Sequence, residues 1–206
     1  MNRKHALVFL TAAVWLTMGA PMASGADKKL VGKKVMLRTP VDPTQNRFTF
    51  ISTDPNIIFG APNDSDTPTV NGASVLVFNP DAPTECQCIQ MGAARWSIGP
   101  DGKRYTYHDQ ATSFGPVKLA FIRERKLKVV AKGALLTGIT LNETTQGEIA
   151  VHYKSGNSTT RFCSHFEGGS VRVDRVNAFI GSDSAPQGVC ADDSVAVGCT
   201  PCDPIP

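Results

Sequence analysis

Along most of the chain, apolar positions recur with a period of two. Phe48 and Phe50 alternate with Arg47 and Thr49, and Val117, Leu119 and Phe121 alternate with Lys118 and Ala120. Leu127 and Val129 alternate with Lys126 and Lys128, and Ile149, Val151 and Tyr153 with Ala150, His152 and Lys154. Alternation places apolar side chains on one side of an extended chain and polar ones on the other, so each run reads as a half-buried strand. Between the runs lie Asp54-Pro55-Asn56, the stretches 61–72 and 79–83, and Ser155-Gly156-Asn157, whose Pro, Gly, Asn and Asp residues break helices and set turns. No segment carries a helical period beyond two turns. About ten short strands at roughly ten-residue spacing predict an all-β fold, a single β-sandwich with a jelly roll or barrel as the next architecture. From 181 to 206 the period is lost, which predicts a C-terminal tail held by its cysteines.

Asp101-Gly102 predicts a two-residue hairpin turn, because this dipeptide suits two successive positive-φ positions. The register then pairs Ile98 with Tyr105 and Trp96 with Tyr107, gathering these four side chains on one face. That face is either a wall of the core or an aromatic platform for sugar rings or a partner. Core packing is the preferred reading, because aromatic cross-strand pairs also stabilise sheets.

The N-terminus reads as an export signal over residues 1–26, with Arg3 and Lys4, an apolar run from Ala6 to Met18, and an exit at Ser24-Gly25-Ala26. The run is too short to span ~30 Å of hydrocarbon. The expected product is therefore a secreted or periplasmic protein without a stable membrane anchor, comprising a sandwich over 27–180 and a tail over 181–206. Removing the signal takes two of the 21 Lys and Arg and none of the 18 acids, so the formal charge falls from +3 to +1. A near-neutral balance offers no obvious field for steering polyanions, and nucleic acid is not expected as a partner.

All six cysteines, Cys86, Cys88, Cys163, Cys190, Cys199 and Cys202, lie in the exported part, where disulfides are the default. Cys86 and Cys88 share one side of a strand and are poor partners for each other. Four thiolates from Cys86, Cys88, Cys199 and Cys202 around zinc form the competing reading, which an oxidising compartment disfavours.

Other candidate chemistry is sparse. Arg123, Arg125 and Lys126 make a basic hairpin tip that is a candidate for docking an acidic polysaccharide or lipid head groups. Asp64 and Asp66, with Asn63 and Asn71, offer oxygen ligands to calcium, although Asx turns explain the same residues and no cofactor is expected. No nucleophile elbow, His-Glu-x-x-His pair, phosphate loop or dinucleotide fingerprint occurs, and His108, His152 and His165 have no visible nucleophile partner. The catalytic residues, if there are any, are unknown from sequence, and no metal is assigned.

Short pieces of the chain together resemble an exported β-rich module of bacteria. They are Gly32-Lys33-Lys34-Val35-Met36-Leu37, Asp66-Thr67-Pro68-Thr69 to Gly72-Ala73, Gly115-Pro116-Val117-Lys118, Lys132-Gly133, Gln146-Gly147, Arg161-Phe162-Cys163 with Gly168-Gly169, and Ala185-Pro186 leading to Cys190. The resemblance supplies no activity. It implies that Cys163 pairs with Cys190, a cross-link contributing about 3 to 4 kcal/mol. Val117 and Ala131 stand where many members carry two cysteines, as expected if those normally bond across a hairpin. Cys86, Cys88, Cys199 and Cys202 then tie the tail to the strand at 85–91, with their partners open. Two functions follow as expectations: a non-catalytic module that binds a surface polymer or protein or serves a structural role, and, as the alternative, a small glycan-directed hydrolase whose carboxylates the fold assembles. Oligomeric state is not legible.

Overall fold

The computed structural model describes residues 27–185 and 188–206; the expected signal peptide lies outside them. Thirteen strands form in chain order among the described residues: β1 Asp27–Lys29, β2 Gly32–Arg38, β3 Arg47–Ser52, β4 Ala73–Asn79, β5 Ala82–Met91, β6 Trp96–Ile98, β7 Arg104–His108, β8 Val117–Arg123, β9 Lys126–Lys132, β10 Ile149–Ser155, β11 Arg161–Phe166, β12 Val171–Arg175 and β13 Ala178–Ser182. The single α-helical turn among them, α1 Pro68–Asn71, starts at a proline and ends at Gly72.

The strands make a β-sandwich. A five-stranded sheet has the order β1-β11-β10-β4-β5 and an eight-stranded sheet the order β12-β13-β2-β3-β9-β8-β7-β6. Every pairing is antiparallel except β1 with β11. Between the sheets, Val35, Leu37, Phe48, Phe50, Leu127 and Val129 meet Val75, Val77, Ile89, Val151, Tyr153 and Phe166 in one buried cluster. Phe50 and Phe166 join the layers edge to face, with ring centroids 6.4 Å apart.

Three local readings change. In β8 the ladder shifts register between Val117 and Leu119. The core residues are therefore Val117, Ala120 and Ile122, while Leu119 and Phe121 turn to the outer face, because one extra residue reverses every side chain beyond it. The β6–β7 hairpin keeps the expected pairs Trp96 with Tyr107 and Ile98 with Tyr105. Its loop is longer than two residues, because the Gly99 amide donates to the Arg104 carbonyl and only Gly102 takes positive φ, at 67°. Pro100 has no N–H and cannot supply a further ladder bond. Third, β10 is buried on both faces: Ala150 and His152 are as inaccessible as Val151 and Tyr153.

The cover over that second face is the tail. Cys86–Cys199 and Cys88–Cys202 fasten it to β5, and Cys163–Cys190 fastens its start to β11. Ala196 packs on Leu76, Phe78 and Ala150, and Ser74 Oγ donates to the Cys202 carbonyl at 2.7 Å. β13 ends at Ser182, so the tail begins two residues later than the sequence pattern places it. With all six sulfurs in disulfides there are no thiolates for the zinc reading, and the three bridges fit an oxidising environment.

Candidate functional site

Charge is unevenly distributed between the sheets. The eight strands of the larger sheet carry twelve Lys and Arg: three each from β2 and β9, two each from β8 and β12, and one each from β3 and β7. Their one acid, Asp174, is turned to local structure and accepts from the Gln146 and Gly147 amides at 2.6 and 2.9 Å. The +1 balance averages over this segregation and does not reveal a local basic surface.

The ladder places these cations. Directly opposed residues project from one side of a sheet, and Arg175, Ala178, Arg38, Arg47 and Lys132 form one such row across β12, β13, β2, β3 and β9. The neighbouring row, Val173, Ile180, Met36, Thr49, Val130, Leu119 and His108, holds no Lys, Arg, Asp or Glu. Beyond it Lys34 and Lys128 flank Ile51, and Lys126, Arg123 and Arg104 line up at the far end. Four cross-strand pairs thus set like charges opposite each other: Arg38 with Arg47, Arg47 with Lys132, Arg104 with Arg123, and Arg123 with Lys126. Like charges placed directly opposite destabilise a sheet. Met36, Arg38, Gln45, Arg47 and Arg175 line a groove of about 670 Å³ at one end of this face. Lys103, Arg104 and Arg123, together with the acids Asp101 and Glu124, line a second, of about 510 Å³, at the other.

The sequence-predicted residues divide between core and surface. Trp96, Tyr105 and Tyr107 face the sandwich interior and are 7%, 0% and 1% exposed, so the platform reading is corrected. Two of the polar ends are satisfied inside, because Trp96 Nε1 donates to the Met91 carbonyl and Tyr105 Oη to that of Gly60. Arg123, Arg125 and Lys126 occupy the β8–β9 tip, where Arg125 takes φ of 60° in the turn. Sequence reasoning placed Lys128 and Lys132 in the basic run that follows the Arg123–Lys126 tip and read Arg47 as the polar side of a separate strand; it did not single out Lys34, Arg38 or Arg175 as part of a basic surface. A base at the end of several successive strands was the available signal. In the 61–72 loop, Asp64 Oδ1 accepts from the Asp66 amide and Asn71 Nδ2 donates to the Ser65 carbonyl, both local turn bonds.

Two polar clusters lie on the outer face of the smaller sheet. Under the tail, Arg161 holds Asp27 through two bonds of 2.9 Å and also pairs with Asp193. His152 Nδ1 stands 3.6 Å from Asp193 Oδ2, and its ring packs edge-on against Phe78. Burial outweighs the attraction of Asp193 and pushes the His152 proton affinity down, so the ring is neutral at pH 7. His152 and Arg161 hold the Asp193 carboxyl well below the usual carboxylate range, against the opposing effect of its burial. These groups border a cleft of about 660 Å³ that Lys154, Thr200 and Asp203 also line. The second cluster, Glu148, His165 and Glu167, sits where β10 begins and β11 ends. Among the described residues, none of the three histidines hydrogen-bonds a serine, threonine or cysteine; His108 faces Gln110.

Comparison with protein-family models, with curated proteins and with solved structures found no match for this chain.

Proposed function

We propose that this protein is a non-catalytic binding module, secreted or periplasmic, whose eight-stranded sheet docks an anionic surface polymer on its outer face. The observation that carries the reading is the set of four like-charged cross-strand pairs. Packing gains nothing from opposing cations, whereas an acidic chain laid across the rows converts each repulsion into shared attraction. Eight strands at ~4.8 Å spacing offer a path of roughly 34 Å, long enough for several repeat units. The uncharged row between the basic rows suits the apolar faces of sugar rings. A carboxylated or sulfated polysaccharide is the chemistry this pattern fits.

The glycan-directed hydrolase gains less support. A carboxyl group that donates a proton must be held above its usual range: Asp193, in the cleft under the tail, is held below it, and Glu148, which burial pushes up, lines none of the clefts described. The test is retention of the oxidised protein on immobilised polygalacturonate and on a sulfated dextran, with neutral dextran as control. Each of Arg38→Glu and Arg47→Glu should lower the salt concentration for elution, because fewer counterions are released. Equal retention of both variants and the parent protein, or equal retention on neutral dextran, would reject the reading.

A further inference from the structure

We propose that Glu148, His165 and Glu167 form a binding site for one divalent transition-metal ion of the zinc class. His165 and Glu167 lie two apart along one extended segment, so they project from the same face. Ala150 pairs with His165, so Glu148, two residues earlier and on the same side, stands beside that face from the neighbouring strand. The potential donor atoms, one per residue, all lie within 4.8 Å of one another. Tetrahedral coordination at bond lengths of about 2.0 to 2.2 Å puts ligand atoms about 3.3 to 3.6 Å apart, which side-chain adjustments on the order of an ångström reach.

A second observation points to an ion. His165 Nε2 is fully buried and has no hydrogen bond of acceptable geometry, although Glu148 Oε2 stands only 2.9 Å away. The carboxylate oxygen therefore lies off the axis of the ring nitrogen. Two atoms bound to one metal are arranged in that way, with the nitrogen lone pair aimed at the ion and the oxygen to one side. One nitrogen and two carboxylates suit zinc and its neighbours in the transition series. Glu167 is exposed, so the remaining coordination position opens to solvent and is available to water or to an oxygen of a bound ligand.

The experiment is calorimetric titration of the tag-free, chelator-treated, oxidised protein with Zn²⁺, repeated on Glu167→Gln and His165→Gln, with His152→Gln as the control. The expected result is one equivalent bound, weakened on the order of tenfold or more by either site variant and unchanged in the control. Should a site variant fail to fold, the ¹⁵N resonances of the three histidines in the parent protein decide the matter: zinc should shift those of His165 and leave His108 and His152 in place. Absence of saturable binding up to roughly 100 μM, which corresponds to a binding free energy of about −5.5 kcal/mol, overturns the proposal. Binding that ignores both site variants, or that shifts a different histidine, overturns it equally.

Discussion

Removing the two disulfides that hold the tail on β5 should expose a strong non-additivity. Cys86–Cys199 and Cys88–Cys202 close loops of sequence separation 113 and 114. Taken alone, closing a loop of that size restricts the unfolded chain by about 4.8 kcal/mol. The bridges are interleaved, however: once Cys86–Cys199 exists, Cys88–Cys202 adds a ring through only 86–88 and 199–202, worth about 2.4 kcal/mol. Replacing either pair by serines should therefore cost about 2.4 kcal/mol, whereas replacing both should cost about 7 kcal/mol, because the last loss releases the long loop. Urea unfolding without reductant, followed by far-ultraviolet circular dichroism, measures the three variants against the parent. Two single losses of about 5 kcal/mol each, summing to the double loss, would refute the shared-loop reasoning and show that each bridge acts independently.

Four further outcomes are expected. His152 is buried neutral with its proton affinity depressed, so its contribution is fully present above the unfolded-state value of about 6.5 and is lost as pH falls through the lower folded value; urea midpoints at pH 7.5 and 5 should fall less in His152→Gln than in the parent, and an identical fall in both would contradict this. Gly72 has φ of 71°, and a Cβ there would stand 2.1 Å from the Ile205 carbonyl oxygen, so Gly72→Ala should lower stability by about 1 to 3 kcal/mol in the same assay. Val117 and Ala131 are opposed in the β8–β9 hairpin, so the double variant Val117→Cys, Ala131→Cys should form a disulfide and gain about 2 to 3 kcal/mol, with thiol titration finding no free sulfhydryl. Trp96 is buried, so fluorescence of the exported form should be blue-shifted and insensitive to added glycans; a red-shifted band that responds to them would restore the platform reading.

Much of the sandwich was legible because period-two alternation follows directly from strand geometry, as at Phe48 and Phe50 or Leu127 and Val129. Alternation fails where one residue is inserted, which is why Leu119 and Phe121 were assigned to the wrong face: a bulge depends on pairing with a partner strand. His152 and Ala150 were read as the polar side of a half-exposed strand, since nothing local announces that a tail about 40 to 55 residues downstream will cover them. The candidate sites were less legible for the same reason. Arg38, Arg47, Lys132 and Arg175 are scattered over four strands, and only the strand order places them in one row. Glu148 joins His165 and Glu167 across a strand pair, a spacing that no short motif records.

The claim that the eight-stranded sheet docks an anionic polymer is tested most directly by mapping backbone amide shifts of the ¹⁵N-labelled oxidised protein during titration with short polygalacturonate oligomers. Saturable, salt-sensitive shifts clustered at Arg38, Arg47, Lys128, Lys132 and Arg175 are expected. Shifts confined to the tail and its cleft around Asp193 and Asp203, or none at any concentration, would contradict it.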